Sequence, residues 1–143
     1  ISNLESLRNP AVRFVNREPD SGTRLLFDQL LAQHRINTSS IRGYEQSEFT
    51  HAAVAAYVAS GLADVAFGVE SAARQFNLDF VSVLTGDYVF VCRKQILKLP
   101  AMQRVLEIMR GKEFHAAIAA LPGYRVKDAG AIKTISQVFR NSV

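Results

Sequence analysis

Cysteine occurs once, at Cys92. That scarcity excludes an internal disulfide and any zinc site built from several cysteines. A lone thiol fits a reducing compartment, and its place in the alternating run Tyr88-Val89-Phe90-Val91-Cys92 predicts a buried, inert side chain. No run of roughly eighteen apolar residues occurs, so no segment reads as a membrane-spanning helix. An excess of one charge sign is also lacking: seventeen Lys and Arg against thirteen Asp and Glu leave a formal charge of +4. The basic residues are scattered among the acids and gather only at Arg93-Lys94 to Lys98 and from Arg125 through Lys127 and Lys133 to Arg140. Without interleaved aromatics this is no nucleic-acid-binding stripe, and a mild field that attracts small anions remains. The nucleophile elbow Gly-x-Ser-x-Gly, the P-loop and the dinucleotide fingerprint are all missing. His34 and His115 have no companions at metal-ligand spacing. No catalytic residue, metal or cofactor is expected.

What is present is a globular composition, 48% apolar and 21% charged over 143 residues, enough for one domain with a core. A short apolar run, Val12 to Val15, empties through Asn16-Arg17-Glu18-Pro19-Asp20-Ser21-Gly22-Thr23-Arg24 into a helix predicted from Gly22 to His34. Leu26, Phe27, Leu30 and Leu31 fall on one face of that helix. Its first N–H groups are unpaired and point at one spot, as an oxyanion site requires. Ser21 and Thr23 are therefore either ligand donors or plain helix caps, and Gly22 lets the backbone approach a ligand closely. Arg17 and Arg24 either touch that ligand or pair with Glu18, Asp20 or Asp28.

Farther along, Ile41 to Tyr44 reads as a short strand, and Thr50 caps a helix from His51 to Ser60 that Gly61 ends. Thr50 can also offer its hydroxyl to a ligand, and His51 matters more for its N–H than for its ring. A buried strand is expected from Leu62 to Gly68, then a helix near Glu70 to Phe76 with Asn77 as terminator. Glu70 stands at the strand end, where it can meet a ligand or Arg17 or Arg24. Strands follow at Phe80–Leu84 and Tyr88–Arg93, and helices after Pro100, with Ile132–Val138 as a last short one. Alternating strands and helices predict an α/β fold of three layers, α/β/α, around a mostly parallel sheet.

The motifs Asn16-Arg17-x-x-x-Ser21-Gly22-Thr23-Arg24, Gly43-Tyr44-Glu45, Thr50-His51-x-Ala53-Val54-Ala55 and Gly61-Leu62-Ala63-Asp64-x-x-x-Gly68-Val69-Glu70 occur in that order. Together they resemble the periplasmic-binding-protein-like domain of molybdate-responsive regulators and molybdopterin-biosynthesis proteins. More distantly they are similar to tungstate- and molybdate-binding transport proteins. The resemblance covers Leu4 to Gly130, with Asp20 where the family commonly has glycine. It implies one lobe of a two-lobed fold, with a core at about residues 11–93 and a helical return segment at about 97–140. It further implies that most of the other lobe is missing, so that the 143-residue chain is a piece of a longer protein. The implied ligand is a small anion such as molybdate or tungstate, held without a cofactor, and Tyr88 resembles the ligand-contacting tyrosine of molybdate binders. A homodimer is compatible with this reading; direct binding of nucleic acid or membrane is not expected. The expected location is cytoplasmic, or periplasmic if a leader exists.

Overall fold

The computed structural model describes residues 3–138, so the far end of the expected return segment, near residue 140, lies outside them. The chain forms two compact units, Ile1–Thr85 and Gly86–Val143. In the first, strands β1 (Phe14–Arg17), β2 (Ser47–Glu48) and β3 (Val65–Ala66) make a parallel sheet in the order β2-β1-β3. Helices α1 (Gly22–Gln33), α2 (His51–Ala59) and α3 (Glu70–Gln75) follow the three strands in turn.

Side chains of β1 alternate between two cores, as a strand's period of two dictates. Phe14 points to one face, where it stacks on Phe27 of α1 at 4.9 Å, and Phe27 stacks in turn on Phe67 at 5.1 Å. Leu7, Leu31, Ile36 and Ile41 complete that core. Val15, fully buried, points to the other face and packs with Val54 of α2 and Ala63. Helices thus cover both faces of a parallel sheet, and the fold is α/β. Each buried Phe, Leu or Val side chain stabilises this arrangement by about 1.5–3 kcal/mol.

Several expectations require correction. Ile41–Tyr44 is not a strand. The Phe14 N–H donates to the Arg42 carbonyl at 2.8 Å and the Asn16 N–H to the Gln46 carbonyl at 2.8 Å, so this segment uses more residues than β1 between successive bonds and bulges out. Gly43 permits the bulge: its φ is +91°, and a Cβ there would overlap the Phe14 carbonyl oxygen. β2 begins only at Ser47. The expected buried strand Leu62–Gly68 shrinks to Val65–Ala66, with Leu62 exposed. Phe80–Leu84 and Tyr88–Arg93 are not strands, because their strand-forming side chains find no neighbouring strand to pair with among the described residues. Cys92 lies in the latter stretch and is exposed rather than buried.

The helix predictions fare better. α1 and α2 begin and end within a residue or so of their expected bounds. Asn77 ends α3 with a φ of 55°, and Gly61 follows α2 at +77°. In the second unit, α4 (Pro100–Arg110), α5 (Lys112–Ala119) and α6 (Ile135–Val138) follow a 3-10 turn at Lys94–Lys98. Leu106 of α4 is buried, and the Arg110 guanidinium donates to the Gly130 carbonyl at 2.7 Å.

Candidate functional site

All three strands run the same way, so the loops after them leave from one edge of the sheet. α1 packs on the Phe14 face and α2 on the Val15 face, with α3 against α2. The connections after β1 and β2 therefore part to opposite faces, and a crevice opens at the carboxyl end of β1, where open α/β sheets hold ligands.

Ser21 caps α1. Its hydroxyl accepts the Arg24 N–H at 3.1 Å and donates to the Glu18 carbonyl at 3.0 Å. Of the two roles open to Ser21, the cap is made here. The N–H groups of Gly22 and Thr23 have no partner among the described residues, and the space beside the Gly22 α-carbon is open. Thr50 caps α2 in the same way, accepting the Ala53 N–H at 3.0 Å and leaving the His51 and Ala52 N–H groups unpartnered among the described residues. Two helices thus present two amides each, with positive dipole ends, on neighbouring strands.

Arg17 ties the two starts together. Its guanidinium binds both carboxylate oxygens of Glu18, at 2.8 and 3.1 Å, and donates to the Phe49 carbonyl in the loop before α2 at 2.8 Å. That fork holds the Glu18 carboxyl below its ordinary value. Arg24 is buried rather than on the surface. Its guanidinium lies 4.1 Å above the Tyr44 ring, donates to the Arg17 carbonyl at 3.3 Å and meets Asp28 at 3.3 Å. Each arginine is thus offset by a carboxylate, and the attraction left for an anion comes from amides and helix ends.

The His51 ring lies beside Gly68, at the end of the connection from β3. Its Nδ1 atom is fully shielded and lacks a hydrogen-bond partner among the described residues. Burial lowers its pKa and the charge of Arg17 lowers it further, while Glu18 opposes both, so the ring is neutral near pH 7. Glu70 meets neither Arg17 nor Arg24; it pairs with Arg74 one turn along α3 at 3.1 Å. Tyr88 belongs to the second unit, where it is exposed and its ring lies 6.0 Å from that of Tyr124. Arg17, Ser21, Gly22, Thr23, Arg24, Thr50 and His51 therefore gather around the end of β1 and the loops that follow β1 and β2.

One supporting residue was quoted in the sequence motifs but given no role there. Asn16, buried, donates to the Tyr44 carbonyl at 3.1 Å and accepts the Arg17 N–H at 3.0 Å, which fixes the path of the chain into the loop. An asparagine inside an apolar strand is a residue type strands avoid, and that was the available signal. Glu18 and Gly68 complete the walls. A shallow groove of about 400 Å³ lined by Leu4, Leu30, His34, Val81 and Val83 sits at the other end of α1 from Ser21 and shares no residue with the crevice.

The sequence model of the PBP (periplasmic-binding-protein) superfamily domain matches residues 1–110. The chain belongs to that superfamily. It is 31% identical over 132 residues to a Bacillus subtilis (strain 168) protein named "Uncharacterized protein YvgK", covering 92% of this chain and 42% of YvgK. It is 32% identical over 111 residues to a Clostridium pasteurianum protein named "Uncharacterized protein in ferredoxin 2Fe-2S gene 5'region", covering 77% of this chain and 98% of that protein. The chain thus spans less than half the length of YvgK and nearly all of the clostridial relative. No solved structure matches. Membership of the PBP superfamily accords with the parallel sheet and with helices that start at the strands' carboxyl ends.

Proposed function

We propose that this PBP-superfamily domain binds a small oxyanion of the molybdate or tungstate kind, or another small anion, and does no catalysis. It would serve as the sensing part of a bacterial regulator or of a molybdenum-cofactor protein. The observation that carries this reading is the pair of helix starts at the carboxyl ends of adjacent parallel strands, offering the Gly22, Thr23, His51 and Ala52 N–H groups. A tetrahedral dianion has no proton to give and needs several donors, and these four are neutral and unpartnered among the described residues. Hydrogen bonds to a charged group contribute roughly 1.5–3 kcal/mol each. About four of them bracket the ~8 kcal/mol of a micromolar site.

A regulator or cofactor protein would place the domain in the cytoplasm, whereas a transport binding protein would work outside it. In either setting the mechanism is closure of a second lobe over the anion, which biases whatever adjoins the domain. Calorimetry with molybdate, tungstate, sulfate and phosphate tests the proposal. The native gene product is expected to bind at least one of them saturably, and the 143-residue chain much more weakly. Silence of the gene product toward all four anions overturns the oxyanion reading. Equal affinity in both forms overturns the need for a second lobe.

A second reading, a structural or dimerisation module, is favoured by the exposure of Val89, Phe90 and Val91, at 58%, 81% and 78%.

A further inference from the structure

The ring of His51 hangs from a residue whose own N–H is one of the crevice's donors, at the first position of α2. Every Cα–Cβ bond of a helix leans toward its N-terminus, so the side chain starts out toward the end where those amides open. The Nδ1 atom is fully shielded and has no hydrogen-bond partner among the described residues. Buried polar atoms without partners are rare enough to call for a role. With no hydrogen bond at Nδ1 to fix its protonation, the ring's charge is decided by burial and by the charges around it.

Those charges are few. Burial, and then Arg17 of β1, oppose an imidazolium, and Glu18 favours one. The Glu18 carboxylate is forked to Arg17, so the two offset each other at the ring. Of the other elements packed against α2, β2 ends in Glu48, β3 carries no charge, and α3 has Glu70 and Arg74, which pair with each other at 3.1 Å. On α2 itself the only other titratable side chain is Tyr57, toward the far end. An anion on the α2 amides upsets this balance. It sets a negative charge close to the ring, which favours the protonated form. A dianion does so about twice as strongly as a monoanion of the same shape, because Coulomb energy scales with charge.

We infer that the His51 ring takes up a proton as the anion enters, and that this makes the crevice select doubly charged anions over singly charged ones of the same shape. The inference rests on the anion-binding reading and specifies its ligand class. The proton comes from solvent and adds to a ring nitrogen, and no other bond forms or breaks. Affinity is then constant above the pKa of the liganded ring. It rises as pH falls toward the pKa of the free ring and is constant again below that.

Tungstate and perrhenate test it, being tetrahedral oxyanions that differ by one charge and carry no proton near neutrality; sulfate and perchlorate are the smaller pair. Calorimetry of the native gene product near pH 6.5, the ordinary histidine value, is run in two buffers of different ionisation heat. Proton uptake is expected with the dianion and little with the monoanion. Dianion affinity should rise by about threefold or more per pH unit of acidification, within the roughly tenfold limit of a single proton. His51→Gln should still bind the dianion but lose both the uptake and the pH dependence. In the unaltered protein, NMR of the imidazole C–H signals should show one histidine whose pKa rises when the dianion is added, a readout that needs no variant to fold. Dianion binding without proton uptake, uptake that survives in His51→Gln, or equal affinity for the monoanion overturns the inference and leaves the anion site standing. Silence toward all four anions overturns the anion site and the inference with it.

Discussion

Arg24 carries three interactions from one guanidinium: the Tyr44 ring below it, the Arg17 carbonyl and the Asp28 carboxylate. Truncation leaves that carbonyl and ring without a partner in a site only 8% exposed. Arg24→Ala is therefore expected to lower folding stability by about 2–3 kcal/mol, and Arg24→Lys to recover little of it, since an ammonium has no flat face to stack. Urea unfolding measures both, and a loss below about 0.5 kcal/mol would return Arg24 to the class of ordinary surface residues.

Asp64 carries a separate consequence. Hydrogen bonds from the Arg13 guanidinium and main chain pull its pKa from an ordinary 3.8 down to about 2. A carboxyl held below its unfolded value contributes stability above 3.8 and loses it as pH falls toward about 2. Thermal unfolding over that window should show the native chain losing more stability than Asp64→Asn. Parallel curves would falsify the pairing.

Among elements, the helices were legible and the strands only partly so. α1 and α2 announce themselves by Ser21 and Thr50 as caps and by local spacing, because a helix makes its hydrogen bonds within itself. β1 was legible in its existence, because it is the central, doubly buried strand, but it runs Phe14–Arg17 and not Val12–Val15, since the polar Asn16 and Arg17 hid its second half. Residues 41–44, 80–84 and 88–93 show the limit. Their strand propensity is genuine, but a strand exists only where a neighbour pairs with it, and the sequence does not say where that neighbour is. The crevice was legible for the same reason as the helices, since its amides are helix ends. The arginine pairings were not, because Glu18, Asp20 and Asp28 were all near enough in sequence to serve.

The amide donors can be tested at this scale. Ser21 has an extended backbone, φ −79° and ψ 140°, which accepts a following proline, and the first position of a helix tolerates one. Gly22→Pro should leave the thermal midpoint unchanged or higher while removing one donor. Anion affinity should fall by about tenfold or more if that bond contributes roughly 1.5–3 kcal/mol. Unchanged affinity for an anion that the native chain binds would remove α1 from the site.

For the molecule as a whole, burial is concentrated in the first unit. Of the buried apolar residues among those described, only Leu106 belongs to the second, where the helices rest on local hydrogen bonds and half-buried side chains. Amide hydrogen exchange should therefore be slow in β1, α1 and α2 and fast in α4, α5 and α6, because local opening tracks buried apolar contact. Uniform protection along the chain would mean that the second unit is held by something other than its own core.

The shared direction of β1, β2 and β3 also bears on how such a domain diversifies. Residues that fix the fold, such as Phe14, Val15, Phe27 and Val54, lie in the body of the sheet and its covering helices. Residues that line the crevice sit in the connections after the strands and in the first turns of the helices, where a replacement leaves the core untouched. A lineage can thus exchange one ligand for another by altering residues 18–23, 49–52 and 68–69 while inheriting the scaffold intact. Asn16 is the exception: it bolts the first connection to the segment before β2, so drift there would cost ligand preference and architecture together.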